Sequence, residues 1–219
     1  MGTRKERTVS QNFTIDQERR ALEELALFYS TEIQPKFDSL GTCVYAAVLA
    51  SRTLQKIGLK STCSHVDAYS FGFNHTQKDE ITRWNLPSRR WVRACSTNPV
   101  VRAIGSSDLV GGVDGHFIIE TDNFFVDLTA PQFDSPRHQV RIPRSLIVPL
   151  GDLRELSEDV WSVPIPLGRY VFCSAEKPKR PTFWRSINSE LSPMVPECVH
   201  RMKVAVLDDS HEALDGMLP

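Results

Sequence analysis

The strongest constraint on this chain is the stretch His116-Phe117-Ile118-Ile119-Glu120-Thr121, Asp122-Asn123, Phe124-Phe125-Val126-Asp127-Leu128-Thr129. Two runs rich in β-branched and aromatic residues flank a short polar turn, the pattern of a β-hairpin. With Asp122 and Asn123 as the turn, Asp127 stands opposite Ile118, and His116 lies two residues from Ile118 on the same face of the ladder. His116 and Asp127 are then diagonal neighbours, within the reach an aspartate needs to hold an imidazole in one tautomer. A slip of one residue would put them on opposite faces, so the turn decides whether they meet.

Upstream, Thr14-Ile15-Asp16-Gln17 has the spacing of a capping box, and Leu22, Leu25, Ala26 and Tyr29 follow at helical spacing, which predicts a helix over 15–29. A turn-rich connector over residues 34–42 leads to a second helix, apolar nearly all round from Cys43 to Ala50 and stopped by Gly58. Residues 62–73 read as a strand, Arg144 to Leu156 as partly helical, and Arg169 to Cys173 as a strand. Residues 1–12 are polar and aperiodic, a flexible N-terminal arm. Residues 13–175 form the expected domain, with an insertion at about 74–110. Residues 176–219 are a Pro-rich extension, packed on the domain or trailing from it.

The chain has 219 residues, with 26 Lys and Arg against 27 Asp and Glu, and 41% apolar residues. This balance fits a globular protein of one domain with appendages and gives no net electrostatic drive toward nucleic acid. The longest strongly apolar run falls far short of the roughly twenty residues of a membrane-spanning helix. The N-terminal residues lack an apolar signal core, so the expectation is a cytoplasmic protein with reduced thiols and no membrane association. Five cysteines cannot all pair with one another.

Of these five, Cys43 stands apart because it opens the buried helix. A thiol there meets unsatisfied backbone N–H groups and the positive end of the helix dipole, which favour a thiolate. The preceding Ser39-Leu40-Gly41-Thr42 is small and turn-forming, and the Cys43 amide is placed to donate to an oxyanion. Taken singly, a Cys in an apolar helix is a small core hydrophobe, and a His or Asp at a strand end a structural polar group. The hairpin geometry brings the three into one hypothesis, with Cys43 as nucleophile, His116 as base and acid, and Asp127 as orienter.

Gly-Thr-Cys at a helix start, Gly115-His116 opening a strand and the block Phe125-Val126-Asp127-Leu128-Thr129-Ala130-Pro131-Gln132-Phe133 resemble the transglutaminase-like branch of the papain-like cysteine enzymes. The resemblance covers residues 34–133. It implies an α+β fold with a papain-like, transglutaminase-like core, in which the nucleophile helix packs on an antiparallel sheet carrying the His and the Asp. It also implies acyl transfer through a thioester on Cys43, with an amide or ester as donor and no cofactor or metal. Peptidase, deamidase, transglutaminase and N-acyltransferase chemistries all remain open, and the expected partner is a peptide, a protein or a small acyl substrate. The chain departs from the pattern in its long interval between Cys43 and His116 and in having no Gln a few residues before Cys43. Gln34, nine residues upstream, and Gln132 are the two amides considered for the oxyanion.

Two other groupings carry alternatives. Cys63, His65, His75 and Cys95 match no paired zinc-knuckle spacing. Lys78, Arg83, Arg89, Arg90, Arg93 and Arg102 interleave with Trp84 and Trp91, as a solvated surface, a substrate-binding lid over the cleft, or the partner-binding face of a catalytically inactive papain-like module.

Overall fold

The computed structural model describes residues 13–37, 42–72, 84–85, 90–91, 102–104, 116–133, 142–166, 168–174 and 184–207. Helix α1 (Ile15–Phe28) opens with the expected capping box. Thr14 Oγ1 accepts from the Gln17 amide, and the Gln17 side chain accepts from the Thr14 amide. It runs into a π-helical turn, Tyr29–Ile33, and a 3-10 turn, Gln34–Lys36. Helix α2 (Thr42–Ile57) ends where Gly58 adopts φ 89°. The Gly58 and Leu59 amides donate back to Gln55 and Leu54, so a Schellman motif satisfies the last carbonyls.

Strands follow in the order β1 (Ser61–Gly72), β2 (Trp84–Asn85), β3 (Arg90–Trp91), β4 (Arg102–Ile104), β5 (His116–Thr121), β6 (Phe124–Asp127), β7 (Leu146–Pro149), β8 (Arg154–Ser157), β9 (Val160–Ile165) and β10 (Gly168–Ser174). Helices α3 (Trp184–Leu191) and α4 (Val195–Leu207) close the described chain. The main sheet is antiparallel and curled, in the order β7-β6-β5-β1-β10-β9-β8, with β4 also on β1. Strand β1 is long enough to carry β5 along Ser61–Val66 and β10 along Val66–Gly72. The architecture is therefore α+β.

The β5–β6 hairpin has the register read from its sequence, with Ile119 opposite Val126 and Glu120 opposite Phe125. Every residue of β6 is buried, so both faces of the sheet are covered. Phe117, Ile119, Phe124 and Val126 join α1, α2, α3 and α4 in one apolar cluster. Ile118 and Phe125 join Phe133, Leu146, Val163, Tyr170 and Phe172 in a second cluster on the opposite face.

The Arg144–Leu156 region departs from the helical expectation. It forms β7 and β8 around a single 3-10 turn at Leu150–Asp152. Leu146, Ile147 and Val148 pair with Val126 and its neighbours along the edge of the sheet, and Pro149 sits where an edge strand tolerates a missing N–H. Strand β9 was not anticipated either. Of the Pro-rich extension, the described residues form α3 and α4, and α4 lies against α1. There the Arg201 guanidinium covers the Phe28 ring at 5.3 Å, and its Nε donates to Glu24 Oε1 at 2.6 Å. Most of the insertion at 74–110 lies outside the described residues.

Candidate active site

Three elements deliver the site. Helix α2 carries Cys43 in its first turn, β5 begins with His116, and β6 ends with Asp127. Cys43 belongs to the helix-side cluster, whereas His116 and Asp127 share the sheet face of Ile118 and Phe125. The site therefore lies on the seam between the two apolar layers, and His116 and Asp127 are fully buried.

A carboxylate can only accept, so the His116 Nε2–H donates to Asp127 Oδ2, at 2.8 Å. That oxygen also accepts from the Tyr170 hydroxyl at 2.7 Å. The other oxygen, Oδ1, accepts from the Thr129 amide at 2.8 Å and from the Thr129 hydroxyl at 3.1 Å. Four donors thus compensate the burial of one charge, as a fully buried carboxylate requires. Phe133 sets its edge against the imidazole, with ring centroids 5.1 Å apart, and packs in the same way on Tyr170. This fixes the plane of the ring.

The electrostatics follow from this arrangement. Burial opposes a charge on His116, but the Asp127 carboxylate and its hydrogen bond, with a further contribution from hydrogen bonding to Cys43, push the imidazole up to about 10. Burial likewise works against the Asp127 charge, and the His116 ring, Tyr170 and Thr129 outweigh it and hold the carboxyl below its ordinary value. Burial and then the Asp127 charge raise Tyr170 well above the usual phenol, so it remains a donor. Tyr29 is raised by burial and by the charges of Cys43 and Asp127. Its hydroxyl donates to the Thr42 carbonyl at 2.9 Å and so braces the turn that carries Cys43.

With Nε2 committed to Asp127, Nδ1 is the ring nitrogen available to a proton from Cys43. Gln132 also reaches Nδ1, with its Nε2 at 2.9 Å. Its amide is engaged with His116 and with Thr129 Oγ1 at 3.3 Å, a place the oxyanion expectation did not include. Gln34 is exposed on its 3-10 turn. Trp84 and Trp91 are opposite one another in a separate two-stranded ladder.

The other thiols in the described residues have structural settings. Cys173 is buried in β10 and Cys63 half-buried in β1. Cys198 is a buried residue of α4 with its sulfur 3.9 Å from Met202 Sδ, and burial raises its pKa. His65 stacks on Phe117 at 4.8 Å, while His75 and Cys95 lie outside the described residues. Among the described residues, no cluster of three His, Cys, Asp or Glu side chains is placed to hold a metal ion, and no helix is long and apolar enough to cross a membrane.

Of the groups around His116, Thr129 had a local signal. An aspartate whose side chain accepts from the amide two residues on forms an Asx turn, and Asp127-Leu128-Thr129 has that spacing. Tyr29 and Tyr170 had none, since each arrives from a distant element. No protein-family model, curated protein or solved structure matches the chain.

Proposed function

We propose that this protein is a cysteine-dependent acyl-transfer enzyme of the papain-like, transglutaminase-like kind, acting on an amide or ester through a thioester on Cys43. The single observation that supports this most is the buried His116–Asp127 pair at 2.8 Å, with Cys43 near enough to help raise the pKa of the ring and at the first turn of a helix. A buried imidazole and carboxylate on adjacent strands would serve stability alone without a thiol beside them. The thiol supplies the nucleophile.

In this reading Cys43 gives its proton to Nδ1 of His116 and Sγ attacks the substrate carbonyl. The C–N or C–O bond to the leaving group then breaks, and Nδ1–H passes to the departing amine or alkoxide. Water or an amine attacks the thioester, His116 takes a proton from it, and the thiolate leaves. Asp127 stabilises the imidazolium and fixes the ring, while Tyr170 and Thr129 keep Asp127 ionised and oriented. The substrate class is a peptide, a protein or a small acyl compound.

The test is alkylation by iodoacetamide at neutral pH, mapped by mass spectrometry. Cys43 is expected to label much faster than the other four thiols, and His116→Gln, which retains a donor to Asp127, to abolish the advantage. Equal labelling of all five would defeat the proposal. Intact-mass analysis after incubation with peptide, acyl-CoA and glutamine donors then identifies the donor class from the mass of the trapped thioester.

A further inference from the structure

Proton bookkeeping along four side chains orders the site. Asp127 Oδ1 can only accept, so the Thr129 hydroxyl spends its one proton on it. The Thr129 oxygen is left as an acceptor, and the group 3.3 Å away on Gln132 must be a donor, which places the amide NH₂ toward Thr129. That same nitrogen lies 2.9 Å from His116 Nδ1, so it aims its second N–H at the ring. Nδ1 facing an N–H is a nitrogen with a lone pair. Turning the amide around would set its carbonyl oxygen against the Thr129 oxygen, with no proton between them.

Building on the cysteine–histidine reading, we infer that Gln132, held by Thr129, is a positioning residue that holds His116 Nδ1 in its unprotonated form by donating to it, and that forming the thiolate–imidazolium pair requires this amide to turn or withdraw. The step moves one proton. The Sγ–H bond of Cys43 breaks, Nδ1–H forms, and no electrons are exchanged with any other group. Once Nδ1 carries that proton it faces the Gln132 N–H, two donors with no acceptor between them. Asp127 and Gln132 therefore pull the ring in opposite directions, Asp127 toward charge and Gln132 toward the neutral base. The chain Asp127–Thr129–Gln132–His116 begins and ends on the catalytic pair, so the carboxylate that favours the imidazolium also sets, through two intermediates, the group that resists it.

The measurement is the rate of iodoacetamide alkylation of Cys43 from pH 4 to 9, read as its plateau near neutral pH. Removing one hydrogen bond that opposes the ion pair is worth up to about tenfold in the equilibrium between the neutral pair and the ion pair. Gln132→Met, similar in length and without a donor, is expected to raise the plateau rate by up to that amount. Thr129→Val should raise it by less, because the amide is then free to turn, and Thr129→Ser should retain the wild-type plateau. The double variant Gln132→Met/Thr129→Val should rise no further than Gln132→Met, since both act through one chain. A wild-type or lower plateau in Gln132→Met, or effects that multiply in the double variant, overturns the inference. In the unsubstituted protein, ¹⁵N resonances of His116 must place the proton of the neutral ring on Nε2, and finding it on Nδ1 overturns the inference without any variant. The His116→Gln profile separates the two proposals. If it equals wild type, the cysteine–histidine reading falls and this inference with it; if it differs while Gln132→Met does not, only this inference falls.

Discussion

Tyr170 donates its hydroxyl to Asp127 Oδ2 at 2.7 Å from a strand forty-three residues further along the chain. It shares that oxygen with His116, so the orientation of the imidazole depends on β10 as well as on the hairpin. Tyr170→Phe keeps the ring that packs on Phe125 and Phe133 and removes only the donor. A hydrogen bond to a buried charge contributes about 1.5–3 kcal/mol, and Asp127 retains three other donors, so the expected loss is at the lower end, about 1–2 kcal/mol. Urea unfolding at pH 7 measures it, and an unchanged midpoint would show that the bond contributes nothing net.

The His116–Asp127 pair gives a defined pH dependence. The folded-state value of His116 is raised to about 10, so its stabilisation is complete below the unfolded value of about 6.5 and is lost as pH rises from there through 10. Asp127 is lowered, so its contribution is present above the unfolded value of about 3.8 and is lost as pH falls below it. Stability should be flat between these limits and decline on both sides. Urea midpoints from pH 3 to 10 test this, and His116→Gln should lose most of the decline on the basic side. A parallel slope in the variant would assign the decline to other groups.

Asn123, in the hairpin turn, donates from Nδ2 to Glu18 Oε2 at 2.7 Å and ties β5 and β6 to α1. Glu18 is 2% exposed, and its Oε1 finds no partner among the described residues. Asn123→Ala leaves this carboxyl with neither oxygen bonded and should cost about 1–3 kcal/mol. Adding Glu18→Met removes the orphaned group and should recover most of the loss. Denaturant unfolding of the single and double variants measures the asymmetry, and no recovery in the double would contradict it.

Gly58 closes α2 at φ 89°, a conformation that costs a residue with a Cβ. Gly58→Ala is expected to destabilise by about 1 kcal/mol. It should leave Cys43 alkylation unchanged, because the two lie at opposite ends of the helix. Thermal unfolding and labelling of the same sample report the two effects separately.

Local chemistry explains which features were legible in the sequence. The capping box of α1, the Gly58 stop, the strands β1 and β10, and the register of the hairpin each rest on residues within a few positions of one another. The hairpin register brought His116 and Asp127 together in advance because a two-residue turn leaves one pairing that buries both apolar faces. The Arg144–Leu156 region forms strands where a partial helix is expected, because a short apolar run such as Leu146-Ile147-Val148 fits a buried helix or a buried strand equally well. The free edge of β6 decided the outcome, and no local pattern encodes that edge.

By itself, then, the sequence determined α1, α2, β1, the β5–β6 hairpin and β10, the meeting of His116 with Asp127, and the place of Cys43 at a helix start. Only the tertiary structure decided that α2 would bring Cys43 to the ring, that Tyr170 would complete the carboxylate's donors, and that Gln132 would occupy Nδ1. The physical reason is range. Periodicity and capping act through neighbours along the chain, whereas the saturation of a buried charge is achieved by whatever donors the packed layers bring within 3 Å or so.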